Sequence, residues 1–80
     1  MELIDTIELM KSDDYKDRFK AEYYQVKIRK EKLQKTLDNW NSLNFEPSCS
    51  KDFYDLQLDV MMSYMILLKH RARKENIDLD

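Results

Sequence analysis

Residues 58–68, Leu-Asp-Val-Met-Met-Ser-Tyr-Met-Ile-Leu-Leu, decide the fold class. From Val60 to Leu68 only Ser63 interrupts the apolar run. The run sits in a stretch of about residues 51–76 that contains neither Pro nor Gly and opens on Ser50-Lys51-Asp52. A serine N-cap with an acid in the first turn starts a helix. Two adjacent seams then recur at helical spacing. One is Tyr54, Leu58, Met61, Met65, Leu68 and Ala72; the other is Phe53, Val60, Tyr64 and Leu67. With Met62 and Ile66 added, the middle of this helix is apolar nearly all round, the pattern of a helix covered on every side. The run falls far short of the roughly 20 apolar residues that cross a bilayer. Its cover must be protein.

Upstream, a second helix is predicted over residues 13–43, with Ser12 as its N-cap and Asp13 and Asp14 in its first turn. Its seam reads Phe19, Tyr23, Val26, Lys30, Leu33, Leu37, Trp40, in alternating steps of four and three. A partial stripe of Ala21, Tyr24 and Ile28 faces elsewhere, so this helix needs two neighbours. One is a short helix over about residues 3–10, with Leu3, Ile4, Ile7 and Met10 as its apolar stripe. Asn41 to Ser50 holds the turn formers and Pro47, and Phe45 is expected to pin this loop onto the helices.

The expected architecture is all-α: one domain, residues 1–80, with a short N-terminal helix and two long antiparallel helices. Two long helices and one short one cannot cover the last helix. Each large apolar side chain left in water forgoes roughly 1.5–3 kcal/mol. Further copies of the same chain are the economical cover, so a homo-oligomer is expected. Five methionines suit such a packed contact, and equally an adaptable binding surface.

Composition excludes several function classes. Without a single Gly, neither the Walker A loop nor the dinucleotide-binding fingerprint can be built. A net charge of −2 gives no bulk attraction to DNA. The charge is unevenly spread, with nine Lys or Arg against five acids in residues 11–35. Nucleic-acid binding through residues 16–35 is a weaker reading that the acidic remainder opposes. The lone Cys49 permits no intrachain disulfide, and Met1 runs straight into an acidic amphipathic segment with no signal-peptide pattern. A cytosolic, soluble chain is expected.

Catalysis is not expected. His70, the sole histidine, lies in a basic run and reads as a surface or interface residue, and no nucleophile has an evident base. Asp13, Asp14 and Asp17 read as helix-dipole partners rather than metal ligands, and no cofactor is implied. Lys30 is different, because it occupies a core position of an apolar seam. A buried, unpaired ammonium is costly, so Lys30 must snorkel, pair with a carboxylate or meet an anionic ligand. Arg71 extends the Phe53–Leu67 seam beyond the apolar block. Tyr15, in the first turn of the long helix, stands beside backbone amides able to hold an anion, and its ring can stack on a nucleobase.

Two ordered blocks carry a resemblance. Tyr15, Arg18, Glu22, Val26 and Leu33 form the first; Gln57, Leu58, Met61, Tyr64, Leu68 and Arg71 form the second. In this register the chain resembles the small crAss-phage-related helical proteins that include anti-CBASS cyclic-oligonucleotide sponges. The resemblance covers nearly the whole chain from the second helix onward. It implies a hexamer that sequesters immune second messengers, cyclic dinucleotides and cyclic trinucleotides, without cleaving them. It also implies that Tyr15 stacks on bases and Lys30 contacts phosphate. Arg71 would belong to a separate trinucleotide pocket between subunits. Val60 departs from a typical alanine, Lys32 could take the phosphate role of Lys30, and Arg18 completes the candidate ligand-binding set. The rival reading is a non-catalytic helical interaction module, such as an inhibitor that binds a host protein through its Met-rich face.

Overall fold

The computed structural model describes residues 1–79 and contains only helices and connecting turns among them. A 3-10 turn over Leu3–Thr6 leads into α1 (Ile7–Lys11), followed by α2 (Tyr15–Asp38), a second 3-10 turn over Trp40–Ser42, and α3 (Lys51–Lys74). Helices α2 and α3 run antiparallel. At one end Tyr15 meets Arg71 and Glu75; at the other the rings of Trp40 and Tyr54 lie 5.8 Å apart.

The deeper core lies near the start of α2. Phe19, Tyr23, Tyr24 and Ile28 pack with Leu68 and Ala72 of α3 and with Ile77 beyond it. Leu68 is fully buried, which for one leucine is worth about 1.5–3 kcal/mol. Both predicted faces of α2 are used. The Phe19–Tyr23 seam meets α3, while the Ala21–Tyr24–Ile28 stripe is buried. The first α3 seam is likewise the inward one, half-buried from Tyr54 through Met65 and buried at Leu68 and Ala72.

Local details correct the sequence reading. The N-cap of α2 is Asp14, whose carboxylate accepts from the Lys16 amide at 2.9 Å. Ser12 instead accepts from the Asp14 amide and donates to Asp17, bracing the turn before the helix. The α-helix ends at Asp38 rather than at residue 43. Both the backbone and side-chain nitrogens of Asn39 bond the Lys35 carbonyl and close the terminus. Phe45 does not pin the loop; it is exposed, and Trp40 on Tyr54 closes that end. The last helix stops at Lys74, with Asn76 in the left-handed region (φ 56°). Asn tolerates this conformation, and the Ile77 amide reaches the Ala72 carbonyl at 2.8 Å, the bond pattern of a Schellman terminus.

The N-terminal stripe is also in a different register. Leu3 and Leu9 face the core, and Thr6 is wholly buried, whereas Ile4, Ile7 and Met10 are exposed. Thr6 donates to the Leu3 carbonyl at 2.7 Å and accepts from Gln25 at 3.0 Å. A satisfied hydroxyl can be buried without penalty, and the tighter 3-10 opening rotates the later residues away from the periodic expectation.

Candidate functional site

Tyr15 is the first residue of α2, and Arg71 lies in the last turn of α3. Antiparallel packing brings these two candidates, 56 positions apart in sequence, into direct contact. The Tyr15 hydroxyl donates to Glu75 Oε1 at 2.7 Å and accepts from an Arg71 terminal nitrogen at 3.0 Å. Arg71 Nε donates to Glu75 Oε2 at 3.2 Å, closing a triangle. Its guanidinium also lies 5.0 Å from the centre of the Phe19 ring, a cation–π contact that limits its swing.

Tyr15 remains 47% exposed as a residue, with its ring tilted against Phe19 at 6.2 Å between centroids. The chemistry of the triangle sets two ionisation directions. The bond to Glu75 favours the neutral phenol and raises the Tyr15 pKa; partial desolvation and repulsion by the carboxylate add to this, and Arg71 opposes it. For Arg71, desolvation is the largest influence and lowers the pKa. The carboxylate of Glu75 and the contact with Tyr15 together outweigh it, so the net direction is upward.

Other candidates fall elsewhere. Lys30 is half-buried at an open groove of about 160 Å³, with Met62, Met65, Ile66 and Lys69 as the other lining residues. At about 1.5 Å per residue, Lys30 lies roughly 22 Å along α2 from Tyr15. A pocket using both as close contacts therefore needs a second protomer. Arg18 donates to the Ser12 carbonyl at 2.7 Å and helps hold the turn before α2. Lys32 points to Glu2, 3.8 Å away across an exposed surface. The anion site expected at the start of α2 is already served by Asp14, whose own carboxylate takes the Lys16 amide. Tyr64 donates to Glu22, joining one residue of each resembling block across the helix pair.

Glu75 was missed by sequence reasoning. It sits where the helical pattern fades, and its only local signal is the four-residue spacing from Arg71, which favours an ion pair on a helix.

A family model described as Sequestin matches residues 13–74. The chain belongs to the Sequestin family. Its name describes sequestration, which fits the sponge resemblance and a protein that holds its target. The Sequestin match contains Tyr15, Arg18, Lys30, Lys32 and Arg71; α1 and Glu75 lie outside it. No curated protein and no solved structure matches the chain. Among the described residues, no helix is long and apolar enough to cross a membrane.

Proposed function

We propose that this Sequestin-family chain is a phage-type immune-evasion protein that binds cyclic di- and trinucleotide second messengers and holds them intact. The observation that carries this reading is the juxtaposition of Tyr15 and Arg71. It sets a half-exposed tyrosine beside a guanidinium, the two chemistries needed for a base and a phosphate. Lys30 supplies a second cation on the same helix. Because it stands far from Tyr15 within one chain, a Tyr15–Lys30 pocket is shared between protomers of a hexamer in the host cell cytoplasm. Arg71 serves the separate trinucleotide pocket between subunits, and its contact with Tyr15 sets that pocket beside the dinucleotide one.

No reacting group is assigned. The ligand is captured by stacking and charge, and the host effector is deprived of its activator. Titration calorimetry with cyclic di-GMP and cyclic tri-AMP tests the assignment. Tyr15→Ala is expected to weaken binding at least about fivefold, the lower end for loss of one stacked base, and Lys30→Ala to weaken the dinucleotide. Ligand recovered unaltered by chromatography is expected. Unchanged affinity in both variants sinks the pocket assignment.

A second reading is favoured by one feature, the exposed Met62, Ile66, Val60 and Leu67 on α3. An apolar surface of this kind can dock a host protein in a helical interaction module. Recovery of one stoichiometric host partner, with no cyclic-nucleotide uptake, would favour that module.

A further inference from the structure

We infer that Glu75 gates the ligand site: it is an internal carboxylate that occupies the Arg71 fork and must be displaced by a ligand phosphate. The inference deepens the sequestering function proposed above and rests on it.

The argument begins with donor geometry. A guanidinium binds a phosphate best through two parallel N–H groups. Here Nε of Arg71 is committed to Glu75 Oε2 at 3.2 Å, and a terminal nitrogen is committed to the Tyr15 hydroxyl at 3.0 Å. The other Glu75 oxygen accepts the Tyr15 proton at 2.7 Å. Glu75 thus holds both presumptive ligand contacts at once, and its charge has the sign of the ligand's phosphates.

The triangle is still only a gate. The Arg71 and Glu75 side chains are 45% and 33% exposed, and ion pairs open to solvent are weak. Phosphate can take the place of the carboxylate with little loss, because Phe19 holds the guanidinium in place meanwhile. A ligand with a single phosphate recovers only what it displaces. A cyclic oligonucleotide adds a base on Tyr15 and further phosphates, so its binding survives the exchange. Every phosphate ligand meets this same competitor, so Glu75 sets a threshold that a ligand with a stacking base and several phosphates clears.

The test compares the wild-type chain with Glu75→Gln, which keeps an acceptor for the Tyr15 proton and removes the charge. Calorimetry uses cyclic tri-AMP and, as the small competitor, 3′,5′-cyclic AMP. At low salt Glu75→Gln is expected to bind cyclic tri-AMP up to about fivefold more tightly. The gain should shrink in about 1 M salt, where screening acts over about 3 Å. For cyclic AMP, which carries a single phosphate, the gain should be no larger. A wild-type protein that binds cyclic tri-AMP while Glu75→Gln binds equally or less tightly overturns the role of Glu75 alone. Absence of binding by both proteins overturns the sequestering function, and this inference with it. A melting curve distinguishes a gate from a brace: the gate leaves the midpoint almost unmoved.

Discussion

The two ends of α3 contrast sharply. Toward its C-terminus Leu68 and Ala72 are enclosed by Phe19, Tyr23 and Ile77, and the chain completes its own core. Before that end, Phe53, Leu56, Val60 and Leu67 recur in steps of three, four and seven on a face left exposed among the described residues. These residues are as apolar as the buried ones; only the supply of neighbours differs. One helix thus carries both the core of the chain and, in the proposed hexamer, the contact between copies. The exposed Ile4, Ile7 and Met10 extend the uncovered surface to the N-terminal segment.

Charging the uncovered face should break this contrast most severely. In the proposed hexamer, Val60→Asp with Leu67→Asp places unpaired carboxylates where copies meet, a cost of several kcal/mol. Sedimentation should show single chains with helical content kept. An unchanged assembly would place the contact between copies elsewhere. Next in size is Leu68→Ala, at the covered end. Cavity formation should cost about 2–5 kcal/mol, read from urea unfolding at fixed chain concentration.

A smaller loss, about 1 kcal/mol, is expected for Asp14→Ala, which removes the N-cap of α2. Ser12→Ala leaves that cap in place and should cost less. Comparing their melting midpoints separates the capping residue from the one that only braces the turn. The smallest effect concerns alkaline pH. Because the folded pKa of Tyr15 is raised, its contribution to stability is complete below the ordinary tyrosine pKa near 10. That contribution is lost as pH rises through the higher folded value. Ultraviolet titration should show a late-ionising phenol that is missing in Tyr15→Phe.

Much of this was legible before the structure. The α2 seam with Lys30 inside it follows from periodicity alone. For α3, periodicity offered two adjacent seams on a helix apolar nearly all round, and only packing turns the Tyr54–Ala72 seam inward. The sequence was ambiguous where several residues could do one job. Ser12, Asp13 and Asp14 are all competent caps, and only the closing geometry selects Asp14. The end of α2 was overrun because Trp40 continues the apolar rhythm, although Asn39 closes the helix through Lys35. Thr6 upset the N-terminal stripe because its hydroxyl is satisfied by Gln25, a contact that no local pattern announces.

The candidate site divides in the same way. Tyr15, Lys30 and Arg71 could each be singled out from their positions on a helix. The pairing of Tyr15 with Arg71 could not, because it depends on how two antiparallel helices align across 56 positions of sequence. The Asn76 turn, which sends Ile77 back into the core, stabilises the end of α3 that presents Arg71 and Glu75. It was hidden because the left-handed residue is Asn rather than the Gly that normally marks such a turn.

The most direct test of the central claim is native mass spectrometry of the full chain, alone and with cyclic di-GMP and cyclic tri-AMP. The sequestering account predicts a hexamer that gains intact ligand in whole-number steps. A clean assembly that takes up neither ligand would contradict it.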